Sequence, residues 1–495
     1  MNINSSGSRS KSKKKTPNKR LLIYPICLLF VLFIFILSYT EITKSLFSNP
    51  SSNALLSLKF PQCRSRNLGE EKFLWFSPHS GFNNQFSELK NAILIASILN
   101  RTLIIPPILD HHAVALGSCP KFRVLDPNQL RFQVWNHIVD LIRSRRYVSM
   151  ADIVDLSSLE SSPKVKMIDF RVFAMLWCGI DTNLACFDRW EAGFSLFDKL
   201  KQCGSLLSGM DGNAGRCLYA VDEDCRTTVW TYQGDDGILD SFQPDEQHKK
   251  KKDIAYVRKR KDVYKALGPG SEAGLATVLA FGSLFTAPYK GSELYVDIHD
   301  APKDPTVRSL FEKLDSLTFV PDITNAARDF ALEKIKTPFL CAQLRLLDGQ
   351  FKNHRDSTFL GLKQKLESLK KNGVLPVNMF VMTDLPEADW RNSYLGELAK
   401  DSGNYTLHNL RERDELVVLT AKKIANEGRG MRFGSKLITT KKISCAQGVL
   451  PDILLYIEEA ICSCALLGFV GTSGSTIAES IELMIKNGVC VHRGF

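Results

Sequence analysis

The chain has 495 residues, a formal net charge of +11 and 13 cysteines. Seven of the positive charges (Arg9, Lys11, Lys13, Lys14, Lys15, Lys19 and Arg20) lie in the first twenty residues, so +11 less 7 leaves +4 for everything after them. That thin balance excludes a nucleic-acid binder, and the length provides two to three ordinary domains.

Residues 1–20 carry no acidic residue and precede Leu21–Thr40 (LLIYPICLLFVLFIFILSYT), a stretch without a charge. Twenty apolar residues in a helix span about 30 Å of hydrocarbon. The basic flank stays cytosolic by the positive-inside rule, and no small-residue cleavage site follows the apolar run. The expectation is a type II signal-anchor: tail 1–20, single membrane span 21–40, Ser-rich stem 41–66, and a lumenal remainder. No C-terminal retention tetrapeptide is present, the chain ending His492-Arg493-Gly494-Phe495, and the Golgi membrane is the expected address.

One cysteine, Cys27, falls in the span, leaving twelve in an oxidising lumen, where disulfides are expected. Cys178, Cys186, Cys203, Cys217 and Cys225 cluster in a stretch that reads as a stapled, irregular insertion. Cys462 and Cys464 have a C-x-C spacing that a regular zinc knuckle does not use. Asn100-Arg101-Thr102 and Asn404-Tyr405-Thr406 are glycosylation sequons. His248–Lys252 and Arg258–Lys261 form one basic run, read as a solvated loop.

Lys72–Phe76 reads as a strand. Apolar residues at Phe86, Leu89, Ile93, Ala96 and Leu99 recur at helical spacing, and Thr102–Ile105 is a second strand, which makes a βαβ unit. Residues 110–330 are less regular. The pattern then resumes: strand Pro338–Leu344 ending at Arg345, helix Gly361–Lys371, strand Asn378–Met382 ending at Thr383-Asp384, and helix Asp452–Ala465 opened by Pro451 and by Asp452 as an acidic first-turn residue. Strand Leu466–Val470, loop Gly471–Ser475, helix Thr476–Lys486 and a last strand Val489–His492 complete it. The alternation predicts an α/β protein with two doubly wound, Rossmann-like domains, 67–330 and 331–495.

Ligands of such sheets sit beyond the carboxyl ends of the strands. Three features converge there in the C-terminal half. The loop GTSGST presents Ser473, Gly474, Ser475 and Thr476 at a helix N-terminus suited to an anion. Arg345 offers a guanidinium fork for a diphosphate, and Asp384 an acceptor for a base or ribose. In the N-terminal half, Gly81, Asn83, Asn84 and Gln85 gather amides able to bind sugar hydroxyls or phosphate oxygens. The loop is neither a Walker motif, for no Lys follows its second Gly, nor a nucleophile elbow.

Gly81-Phe82-Asn83-Asn84-Gln85, Leu99 to Pro107, Gln343-Leu344-Arg345, Phe380 to Asp384 and Phe469 to Thr476 together resemble the motifs of the protein O-fucosyltransferase family, particularly its plant branch. The resemblance implies a GT-B architecture of two Rossmann-like domains facing a cleft. It also implies an inverting, metal-independent transfer of fucose from GDP-fucose to a protein or cell-wall glycan acceptor. In that analogy Arg345 neutralises the leaving diphosphate, Ser473–Thr476 bind its phosphates, Asp384 contacts the nucleoside, and Asn83, Asn84 and Gln85 border the reacting sugar.

Two positions depart from the family pattern. Gln343 stands where members often have His. Ser80, with His79 beside it, stands where some carry a carboxylate base, and no general base is assigned from the sequence. Three other readings stay open: a metal-dependent transferase using Asp222-Glu223-Asp224, a relative using another nucleotide sugar, and a non-catalytic sugar-binding protein. The acidic triplet sits beside Cys225 and not at the end of an apolar strand, which favours a solvated turn.

Overall fold

The structure, a computed structural model, describes residues 71–110, 127–180, 190–210, 212–214, 216–222, 228–232, 259–284, 304–347, 349–434, 450 and 452–490. The span Leu21–Thr40 with its tail and stem, most of the basic run, Glu223-Asp224, Cys186 and Cys225 lie outside the described residues. Among the described residues no helix is long and apolar enough to cross a membrane.

Two all-parallel sheets organise the molecule. The first takes strands β1 (Phe73–Trp75), β2 (Thr102–Ile105), β3 (Lys166–Asp169), β4 (Leu218–Ala220) and β7 (Val278–Ala280) in the order β3-β2-β1-β7-β4. The second takes β8 (Phe339–Leu344), β9 (Val377–Thr383), β10 (Tyr405–His408) and β11 (Gly468–Gly471) in the order β10-β9-β8-β11. A separate parallel pair joins β5 (Thr228–Thr231) to β6 (Lys259–Asp262). β1 and β8 are buried along their whole length, as near-continuous apolar runs in parallel sheets should be.

In each sheet the direction of winding reverses beside the first strand. The reversal lies between β1 and β7 in one sheet and between β8 and β11 in the other. Such switch points open a crevice at the carboxyl ends of the strands.

The helices that build the site and its supports are α1 (Phe82–Ile98), α2 (Pro127–Arg143), α3 (Phe170–Cys178), α4 (Trp190–Ser208), α5 (Pro321–Phe330), α6 (Arg355–Lys371), α7 (Glu415–Glu427), α8 (Ile453–Cys462) and α9 (Thr476–Lys486). Helix α1 follows β1 and α9 follows β11, so both begin at a switch point. One apolar core runs between the sheets, from Leu74 and Phe76 through Phe319 and Ile323 to Cys341 and Phe380. Helix α2 packs on α4 closely enough that a Cβ at Gly204 would stand 1.9 Å from the Trp135 indole.

Two predicted features are corrected. Val489 and Cys490 lie in a turn and not in a last strand. Gly488 there takes φ +63°, and Cys490 is tied to Cys464, so the chain folds back. Asp452 is not a first-turn residue of its helix. It is the N-cap, at φ 58° and without a side-chain cap bond. Cys178–Cys203 joins helix α3 to helix α4, and Cys186 and Cys225 of the predicted stapled stretch lie outside the described residues. Cys341–Cys462 joins β8 to α8.

Candidate functional site

At the second switch point the ends of three strands are sewn together. Thr472 is fully buried; its N–H donates to the Gln343 backbone carbonyl at 3.1 Å and to Gln343 Oε1 at 3.2 Å. Its hydroxyl in turn accepts the Arg345 N–H at 2.9 Å. Asp384, at the end of β9, accepts the Leu346 and Leu347 N–H groups at 2.7 and 3.0 Å. Thr383 Oγ1 donates to the Leu344 carbonyl at 2.7 Å. Arg345 is therefore held by its backbone from both sides, while its guanidinium stands 4.9 Å over the Phe351 ring.

The loop after β11 keeps Ser473 and Gly474 exposed and turns through Gly474 at φ +75°. A Cβ at Gly471 would meet Ala478 Cβ at 2.6 Å, so glycine lets helix α9 start close to the strand. Ser475 is the N-cap of α9 and fully buried, and among the described residues its hydroxyl has no hydrogen-bond partner, in that helix or elsewhere.

The facing half is built by the loop after β1. His79 is fully buried. Its Nδ1 lies 2.9 Å from Ser80 Oγ and its Nε2 lies 2.7 Å from Ser283 Oγ, which follows β7. Glu88, also fully buried, accepts the His79 N–H and the Leu284 N–H, each at 3.1 Å. Burial raises the Glu88 carboxyl well above the usual range against those two bonds. The residue with positive φ is Ser80, at 65°, and not Gly81, which caps α1 at φ −67°.

The predicted site residues divide by what they touch. Gln85 is fully buried and its amide is committed to backbone: it donates to the Ser80 and Leu109 carbonyls at 2.7 and 3.0 Å and accepts the Leu109 N–H at 3.0 Å. It shapes the loop before α1. Gln343 and Asp384 likewise hold loops through the bonds to Thr472, Leu346 and Leu347. Asn83 Nδ2 donates to Glu459 Oε1 on α8 at 2.9 Å, so the two halves meet through a motif residue. Beside it Phe82 packs on Tyr456, with ring centroids 4.4 Å apart.

Buried polar atoms without a partner gather at this junction: Asn83 Oδ1, Asn84 Oδ1, Tyr456 Oη, Glu459 Oε2 and Ser475 Oγ. Each such atom costs on the order of 1–3 kcal/mol when left unpaired. Five of them lie at the starts of α1 and α9 and on α8, where water or a polar ligand would satisfy them. Asn83 and Thr476 also line one cavity of about 210 Å³, between α1 and α9.

Glu459 is not legible from the sequence as a site residue. The signal that could have found it is Glu458-Glu459 interrupting an otherwise apolar helix, ILLYIEEAIC. Burial pushes the Glu459 carboxyl up to about 8, against the hydrogen bond from the Asn83 amide, which favours the charged form. Among the described residues no group of three His, Cys, Asp or Glu side chains is arranged to hold a metal ion.

A family profile described as GDP-fucose protein O-fucosyltransferase matches residues 73–384, from β1 through Asp384. The chain belongs to that family. O-fucosyltransferase 30 of Arabidopsis thaliana is 57% identical over 491 residues, covering 97% of this chain and 96% of the relative. The crystal structure of POFUT1 in complex with GDP-fucose aligns with 84% of this chain and 94% of its own, at 12% identity and a TM-score of 0.36. The complex of POFUT1 with GDP gives 86%, 98%, 12% and 0.37. Of the motifs that carry the family resemblance, those after β1, β8 and β9 fall inside the profile match. The phosphate-loop candidate Ser473–Thr476 lies beyond it.

Proposed function

We propose that the protein is an inverting glycosyltransferase that moves fucose from GDP-fucose to a hydroxyl of a protein or cell-wall glycan acceptor. The two sheets form a GT-B pair of lobes dividing near residue 330, with the donor in the C-terminal one. The chain is held in the Golgi membrane by Leu21–Thr40, with the rest lumenal. The observation that carries the reading is Arg345 fixed at a switch point beside the N-terminus of α9, with the family motif after β1 joined to helix α8 through Asn83 and Glu459.

The chemistry depends on where charge appears. As the acceptor oxygen bonds to C1 of fucose, the bond from C1 to the β-phosphate breaks and negative charge builds on GDP. A guanidinium and a helix N-terminus fixed beforehand stabilise that charge more than the ground state. Arg345 and the Ser473–Thr476 loop are suited to that role without a metal ion. Asn83 and Asn84 border the reacting sugar with their unpaired carbonyl oxygens.

Calorimetric titration of the purified protein with GDP, UDP and GDP-fucose in EDTA tests it. Guanine-selective binding in EDTA, with GDP released when acceptor is added, is the expected outcome. Binding of a different nucleotide moves the donor to another sugar, and a folded protein that binds none of them is non-catalytic.

A further inference from the structure

Ser80 adopts φ 65°, in the left-handed region, where an L-residue other than glycine pays roughly 1–2 kcal/mol. Glycine would relieve that strain, and glycine is the next residue along. What the serine adds is a hydroxyl held 2.9 Å from Nδ1 of His79. The imidazole behind it is fixed on every side. Its Nε2 meets Ser283 Oγ at 2.7 Å and lies 3.6 Å from Glu88 Oε1, and Glu88 ties the His79 N–H to the loop after β7. His79 is fully buried while Ser80 is only partly so. The hydroxyl is thus the outlet of a buried base at the loop that joins β1 to α1, on the β1–β7 side of the sheet where Ser283 follows β7.

We propose that Ser80 and His79 form the proton relay that takes the proton of the acceptor hydroxyl, an assignment that rests on the transferase reading above. The acceptor O–H bond breaks and its proton passes to Ser80 Oγ as the proton of Ser80 passes to His79 Nδ1. The acceptor oxygen then forms its bond to C1 of fucose, and the electron pair of the broken C1–O bond leaves with GDP. The relay uses the tautomer with Nδ1 unprotonated and Nε2–H donating to Ser283 Oγ. The imidazolium afterwards returns its proton to solvent through Ser80 once GDP has gone. Ser80 is the group that touches substrate, and Ser283 and Glu88 are positioning residues.

The test uses the full-length protein and three variants, Ser80→Gly, His79→Gln and the two combined. Ser80→Gly removes the hydroxyl together with the strain, so it should melt no lower than wild type. Donor affinity by calorimetry should stay within about twofold, while kcat for transfer falls roughly ten- to a thousandfold, the range that general-base catalysis supplies. His79→Gln should lose a similar factor, and the double variant little more than either single one, because the two act as a unit. Wild-type kcat in a folded Ser80→Gly protein overturns the relay, as do losses that multiply in the double variant. A wild-type protein that neither binds nor turns over GDP-fucose overturns the parent reading instead, so the two failures are distinguishable.

Discussion

Asn83 and Glu459 stand 376 positions apart in the chain and share a hydrogen bond of 2.9 Å in the buried junction between the two sheets. The carboxyl, lifted by burial to about 8, keeps its proton in the folded state where the unfolded chain has lost it. Stability from this group is therefore complete below about pH 4.5 and is lost as the pH rises to about 8. Glu458 and Glu88 are raised for the same reason and act in the same direction. Glu459→Gln keeps an acceptor for Asn83 and cannot ionise. Its unfolding free energy should fall less steeply than that of wild type between these pH values, with a gap on the order of a few kcal/mol at the top. Parallel curves in chemical denaturation would show that Glu459 does not titrate in this window.

Arg345→Ala should lower kcat by about a hundredfold or more, the usual cost of removing a charge-stabilising donor. The melting temperature should hardly change, for Thr472 receives the backbone N–H of residue 345, which the substitution keeps. Wild-type turnover would remove the guanidinium from the reaction.

Ser475→Ala deletes a buried hydroxyl that has no partner among the described residues, so the unliganded protein should be as stable as before or slightly more so. Combined with Thr476→Ala, it should weaken GDP about tenfold, equivalent to one or two neutral hydrogen bonds. Unchanged affinity in calorimetry would show that this loop does not hold the phosphates.

Asp384→Ala frees the Leu346 and Leu347 amides and loosens the segment that carries Arg345. The expected result is a rise in KM for the donor together with a loss of stability of about 1–3 kcal/mol. Asp384→Asn keeps one acceptor oxygen and should recover part of both. An Asn variant as impaired as Ala would mean that the charge matters more than the clasp.

Local pattern is legible where one element decides it. Strand Thr102–Ile105 and helix Thr476–Lys486 have the limits that their sequences predict, and β8 begins one residue after its expected start. Helix α6 begins at Arg355, six residues before its apolar periodicity suggests. The order of the first sheet is not legible, because β7 is only three residues, VLA, and enters between β1 and β4 from far along the chain. The candidate site shows the same division. Arg345 and the Ser473–Thr476 loop can be picked out by their position at strand ends. That Gln85, Gln343 and Asp384 bond to nearby loops depends on which backbone groups the tertiary fold brings within 3.2 Å. The Glu459 partnership is longer in range than any periodicity can report.

The disulfide between Cys341 and Cys462 joins the strand that leads into Arg345 to the helix that presents Glu459 to Asn83. One covalent link thus fixes, within the C-terminal half, the strand before Arg345 against the helix that reaches the facing half through Glu459, and both of its cysteines are fully buried. Oxidation belongs to the assembly of this protein as much as hydrophobic collapse does. A chain made in a reducing cytosol would lack that link, so preparations for every assay above should be made in an oxidising compartment and checked for free thiols first.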